Sequence, residues 1–213
     1  MAEPVKNRRY QSPLRQEQAA LTRKRILDAA GDLFIRQGYG TTTIRQIADA
    51  AAVAPDTVYA SFGNKARLLT ALLDIRLAPG GEASVLDRPE MRRLREERDP
   101  RRFLRTFVRD YAAMSERVRP TSEVLRTAKA VEPEMAIVRE EIEGHRFQFM
   151  RTVVEWLGAI TTLRTSVERA AQIVGALASP DVGRMLCDVQ GWTSDEYAVW
   201  LEETLAETLL PEP

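Results

Sequence analysis

From Ile26 to Leu209 the apolar residues of this chain return at intervals of three and four, and no stretch alternates long enough to read as a strand. That spacing constrains the fold more than any other feature. Ile26, Ala30, Leu33 and Phe34 make one stripe, followed by Gly38 where a left-handed residue can end a helix. Thr43 and Gln46 are spaced as a capping box that opens a short helix. Pro55 suits the first turn of the next helix, which Gly63 ends. Lys65 to Leu77 carries Leu68, Leu69, Leu72, Leu73 and Leu77 along one side. Further helices are predicted from Asp99-Pro100, from Glu132-Pro133, over Thr165 to Leu177, and from a second capping box at Thr193 and Glu196. Arg119-Pro120 and Ser179-Pro180 are expected breaks. The predicted class is all-α. Pro79-Gly80-Gly81 is the clearest boundary, separating a basic arm (1–20) and a three-helix domain (21–78) from a larger helical domain (82–213).

The 213 residues carry no formal net charge, but the balance is uneven. Residues 1–78 hold 12 Lys and Arg against 7 Asp and Glu, and residues 79–213 hold 19 against 24. A basic front points toward a polyanion. No run approaches the ~18 apolar residues of a membrane span, and the N-terminus lacks the apolar stretch of a secretory signal. A single cysteine, Cys187, excludes an internal disulfide and fits a reducing cytoplasm. With one histidine, His145, beside it, no Cys/His metal site is expected, and no cofactor. The sequence has no phosphate-cradling Gly-rich loop, no HExxH and no nucleophile elbow, which argues against an enzyme.

Two short helices joined by Ala52-Val53-Ala54, after a longer one, fit a helix-turn-helix. A short second helix can enter a major groove about 12 Å wide. Thr43, Arg45, Thr57, Tyr59 and Lys65 supply hydroxyl and cationic donors of the kind that hold phosphates. A small three-helix bundle with solvated polar residues fits the spacing equally well. The stretch RILDAAGDLFIRQGYGTTTIRQIADAAAVAPDTVYASFGNKARLLTALLD, residues 25–74, resembles the DNA-binding domain of the TetR family of transcriptional regulators. The elements that carry the likeness are LF…QGY, TTTIRQIA, TVYASFGNK and the following leucine pair. The resemblance implies a homodimer on double-stranded operator DNA, with a helix-turn-helix at 43–62. It implies phosphate contacts from Thr43, Thr57, Tyr59 and Lys65, and groove contacts from Arg45 and the start of the recognition helix, Pro55 and Asp56. Ala52 departs from the family's usual glycine, and Ala54 from its Ser or Thr cap. Asp56 reads either as a charge suited to a helix N-terminus or as an acceptor for a cytosine amino group.

The second half is similar to the family's regulatory domains in being helical, acidic and of matching length. The resemblance implies pairing through the last two long helices, 165–178 and 193–209, where Ala171, Val174, Leu177, Leu201 and Leu205 are the expected interface. It also implies a small-molecule effector. Phe107, Tyr111, Met114, His145, Phe147, Met150 and Trp156 are candidates to line a pocket for a mostly apolar molecule, with Tyr111 and His145 orienting it. Aromatic and Met stripes at this spacing also serve as plain core. Two basic segments remain. Nine arginines between 88 and 109 suit a second nucleic-acid surface or a solvated, ion-paired helix, and the seven cations from Lys6 to Arg25 suit a tail or a phosphate contact. The expectation is a cytoplasmic dimeric repressor released from a palindromic operator by a small effector. The alternatives are a helical-bundle enzyme and an architectural DNA-binding protein without an effector.

Overall fold

A computed structural model describes residues 13–77, 85–128, 130 and 132–212. The first twelve residues of the basic arm, the Pro79-Gly80-Gly81 boundary and the side chain of Leu77 lie outside the described residues. Ten α-helices follow one another: α1 (Pro13–Gln37), α2 (Ile44–Ala50), α3 (Pro55–Phe62), α4 (Lys65–Leu77), α5 (Pro89–Glu96), α6 (Pro100–Ala128), α7 (Glu134–Gly158), α8 (Val167–Leu177), α9 (Pro180–Gly183) and α10 (Ser194–Leu209). A 3-10 turn, Val85–Asp87, precedes α5, and a π-helical turn, Arg184–Val189, follows α9. No strand occurs among the described residues. The chain divides into two compact units, residues 1–69 and 70–213, with the division inside α4.

Unit 1 closes around Ile26, Ala30, Phe34, Ile47, Val58 and Phe62, all buried. Local chemistry sets its helix ends. The Thr43 hydroxyl accepts from the Gln46 N–H at 3.2 Å, and the Thr43 N–H donates to Gln46 Oε1 at 2.8 Å, so both halves of the capping box are made. Pro55 opens α3 behind Ala54, which contributes no side-chain cap. Residues 13–20, part of the expected arm, are already the first turns of α1.

The turn between α2 and α3 is a Schellman motif. Val53 N–H donates to Ala48 O at 3.0 Å and Ala52 N–H to Asp49 O at 3.1 Å. This motif needs a left-handed residue at its centre, and Ala52 sits there with φ +52°. A methyl group in that region is strained by about 1–2 kcal/mol, and the greater unfolded-state freedom of glycine offsets only part of that. Ala52→Gly should therefore stabilise the turn by about 0.5–1 kcal/mol. Slower amide exchange at Val53 would register the gain, and unchanged or faster exchange would refute it.

Unit 2 buries Phe103, Phe107, Met150, Val154, Val174 and Leu201 in one apolar cluster, packed between α6, α7, α8 and α10. Two expectations are corrected here. Pro120 does not end its helix: α6 runs unbroken to Ala128. Val118, Thr121, Val124 and Leu125 are buried on both sides of the proline, and packing that face outweighs the roughly 3 kcal/mol an interior proline costs. The second correction concerns the expected subunit interface. Ala171, Val174, Leu201 and Leu205 are 0–1% exposed in a single chain, and Leu177 is half-buried. The apolar faces of α8 and α10 are covered by their own bundle, so those four side chains are core. The arginine-rich stretch over 88–109 forms α5 and the start of α6, where Arg102 pairs with Glu97 and Arg105 with Glu202.

Candidate nucleic-acid interface and ligand cavity

In unit 1, α2 and α3 present Thr43, Arg45, Asp56 and Tyr59 to solvent, with Tyr59 52% exposed. A half-exposed tyrosine on a short helix keeps a large apolar ring in water, and that arrangement favours a partner surface. Pro55 and Thr57 are half-buried at the start of α3. The Thr43 hydroxyl is engaged by its own capping box, where it also donates to Gln46 Oε1 at 3.1 Å.

Lys65 makes internal contacts that its expected role did not include. Its ammonium donates to the carbonyl oxygens of Tyr39 and Thr42, each at 3.0 Å, and lies 4.2 Å from the centre of the Tyr39 ring. It therefore fastens the segment that leads into α2. Two arginines absent from the expected site do similar work from α1. Arg25 donates to Ala51 O at 2.6 Å and Ala52 O at 3.1 Å, tying down the Schellman turn. Arg23 donates to Ser61 O at 3.0 Å and stacks 4.2 Å from the Phe62 ring, holding the end of α3. Part of the basic excess of the front half is thus spent on internal carbonyls. These contacts join residues up to 38 positions apart, and no local pattern announces them.

Unit 2 contains a cavity of about 450 Å³, a size suited to a small organic ligand. Of the residues expected around a pocket it gathers Tyr111, Met114 and His145. Phe107 and Met150 are buried in the core instead, Phe147 packs against that core, and Trp156 lies 5.6 Å beneath the Arg95 guanidinium. None of these four lines the cavity. Leu125, Ile142, Phe149 and Tyr197 take their place in the wall.

The wall is also more charged than the sequence suggested. Arg126 Nε donates to Glu123 at 2.7 Å, Arg139 to Asp181 at 3.0 Å, and Arg119 to Asp188 at 3.2 Å, while Arg146 meets Glu143 at 2.7 Å. The hydrogen bond from Arg126 outweighs burial and holds the Glu123 carboxyl below the usual carboxylate range, so the pair is ionised at neutral pH. Glu123–Arg126 and Glu143–Arg146 are three residues apart, a spacing legible in sequence once the helices are drawn.

Three lining side chains from three helices close the end of α8. Tyr111 from α6 donates to Ala178 O at 2.7 Å, Arg146 from α7 to Gly175 O at 2.7 Å, and Tyr197 from α10 to Leu177 O at 3.1 Å. A helix leaves its last carbonyls without partners of its own, and here the bundle supplies them. Burial raises the pKa of both phenols, so they remain protonated donors.

A short helix pair with a tight turn, set on a third helix, is the helix-turn-helix class of DNA-binding module. Residues 26–72 match the profile of the bacterial regulatory proteins of the tetR family. The uncharacterized HTH-type transcriptional regulator YvkB of Bacillus subtilis is 42% identical over 69 residues, 32% of this chain and 35% of that protein. The HTH-type transcriptional regulator TtgR of Pseudomonas putida is 43% identical over 58 residues, 27% of this chain and 28% of its own length. The alignments thus span about a third of these relatives. The fold extends the likeness. NalD, the secondary repressor of the MexAB-OprM multidrug efflux pump in Pseudomonas aeruginosa, superposes with a TM-score of 0.67 at 24% identity, covering 92% of this chain and all of NalD. The fatty acid degradation regulator FadR from Bacillus halodurans gives 0.65 at 17% identity, covering 86% of this chain and 94% of FadR. The sequence likeness to the tetR family is thus confined to the helix-turn-helix region, and the whole chain shares the fold of NalD and FadR.

Proposed function

We propose that this protein is a transcriptional regulator that binds a palindromic operator as a dimer and is released by a small molecule held in unit 2. The observation that carries the reading is the solvent-facing set Thr43, Arg45, Asp56 and Tyr59 on a helix-turn-helix whose sequence matches the family profile. Arg45 and the start of α3, Pro55 and Asp56, would meet base edges, and Thr43, Thr57 and Tyr59 would meet phosphates. Lys65 would act chiefly by holding the segment before α2 in place. A second copy would dock on the outward sides of α8 and α10. Val199, 56% exposed, is the apolar residue best placed there, and Leu177 remains a candidate at the edge. Release would follow from linkage: the effector favours a dimer whose recognition helices no longer match half-sites about 34 Å apart. No helix among the described residues is long and apolar enough to cross a membrane, and a cytoplasmic location follows from the proposed role at DNA.

The test is selection of bound duplexes from a random pool by the full chain at fixed salt. A palindromic consensus is expected, bound by two copies. Tyr59→Ala should weaken specific and random duplexes alike, whereas Arg45→Ala should change which sequences are preferred, by about 1–3 kcal/mol per affected base pair. Sedimentation at 24.0 kDa in micromolar solution would overturn the dimer. Equal affinity for all duplexes would favour an architectural protein instead.

A further inference from the structure

The cavity wall carries five arginines, and four of them are matched to carboxylates: Arg119, Arg126, Arg139 and Arg146. Arg184 is different. It has no ion pair among the described residues, and its Nε is buried without a hydrogen-bond partner. It is also the first residue of the π-helical turn, a rare geometry that recurs at functional sites. Arg126 and Arg184 both act on Glu123, and Asp181 faces Arg126 and Arg139, in a wall that holds five arginines and six carboxylates altogether.

We propose that the cavity is built for an amphipathic organic monoacid, its carboxylate received by Arg184 and its apolar body lying against Met114, Leu125, Ile142 and Phe149. The inference rests on the reading of this cavity as the effector site. A lining guanidinium without an ion pair is met better by an anionic acceptor than by a neutral one. A single guanidinium without an ion pair suits a single carboxylate. A doubly charged phosphate would leave its second charge without a match in the wall. The sequence expectation of a mostly apolar effector survives for the body of the ligand and changes at its head.

Calorimetric titration of the full chain with 2-naphthoate and with 2-naphthylmethanol isolates the head group on one skeleton. The acid should bind about tenfold more tightly than the alcohol. Arg184→Met should bring the two close together, and Arg184→Lys should keep part of the preference. An alcohol bound as tightly as the acid overturns the proposal, and so does a preference that survives in Arg184→Met. The comparison on the parent chain decides the matter even if a variant misfolds. Ile142→Trp, which fills the cavity, separates this inference from the one beneath it. If the alcohol binds, is lost in Ile142→Trp and the acid is not preferred, the cavity stands and the acid does not. If neither probe binds the parent, or Ile142→Trp changes neither, both readings fall.

Discussion

Phe107→Ala should destabilise unit 2 by about 3–5 kcal/mol while leaving the affinity for a cavity ligand little changed. Phe107 is 3% exposed, with its ring centre 5.7 Å from Tyr111 and 6.5 Å from Phe149. Those two neighbours line the cavity and Phe107 stands behind them, so its loss leaves a void in the core rather than a larger site. Urea unfolding followed by circular dichroism measures the stability, and titration with 2-naphthoate well below the midpoint measures the site. Phe107→Leu, a smaller cut, should follow the same pattern at reduced size and serves if the alanine variant fails to fold. A loss under about 1 kcal/mol together with abolished binding would place Phe107 in the wall after all.

Lys65→Met should cost unit 1 about 2–3 kcal/mol, because a charged donor leaves two backbone carbonyls at once. The methionine keeps the apolar stem, so packing alone cannot account for the loss. DNA affinity should fall as well, since the segment from Tyr39 to Thr42 leads directly into the capping box of α2. The salt dependence tells the two routes apart. Loss of one phosphate contact lowers the log–log slope by about 0.9. Two hydrogens of this ammonium already lie on carbonyls, so a much smaller change in slope is expected. A change near 0.9 with undiminished stability would mean that Lys65 is a phosphate ligand and that its bonds to Tyr39 and Thr42 are incidental.

What the sequence disclosed was whatever a few adjacent residues decide by themselves. Thr43 with Gln46, Thr193 with Glu196, Pro55, Pro100 and Gly38 fixed helix ends through bonds and torsions confined to one turn. Pro120 was misleading because its local tendency was opposed by packing along both halves of α6. Ala171, Val174, Leu201 and Leu205 were legible as apolar faces, but the pattern does not say whether the same chain or a second copy covers them. Arg23 and Arg25 looked like part of a basic arm because a long side chain conceals its destination. Arg184 had no signal at all: its setting depends on a π-helical turn, and the sequence from 184 to 189 gives no hint of one.

The three donors that close α8 have a thermodynamic corollary. Tyr111, Arg146 and Tyr197 occupy the cavity wall and the carbonyls of residues 178, 175 and 177 at the same time. Each tyrosine has one hydroxyl hydrogen, so a guest that took it from Tyr111 or Tyr197 would bind in exchange with the helix end, whereas Arg146 has five N–H groups to share. The same exchange makes the wall a filter. Molecules that touched only its apolar surface would enter without disturbing α8, and only those with a strong enough acceptor would loosen its last turn.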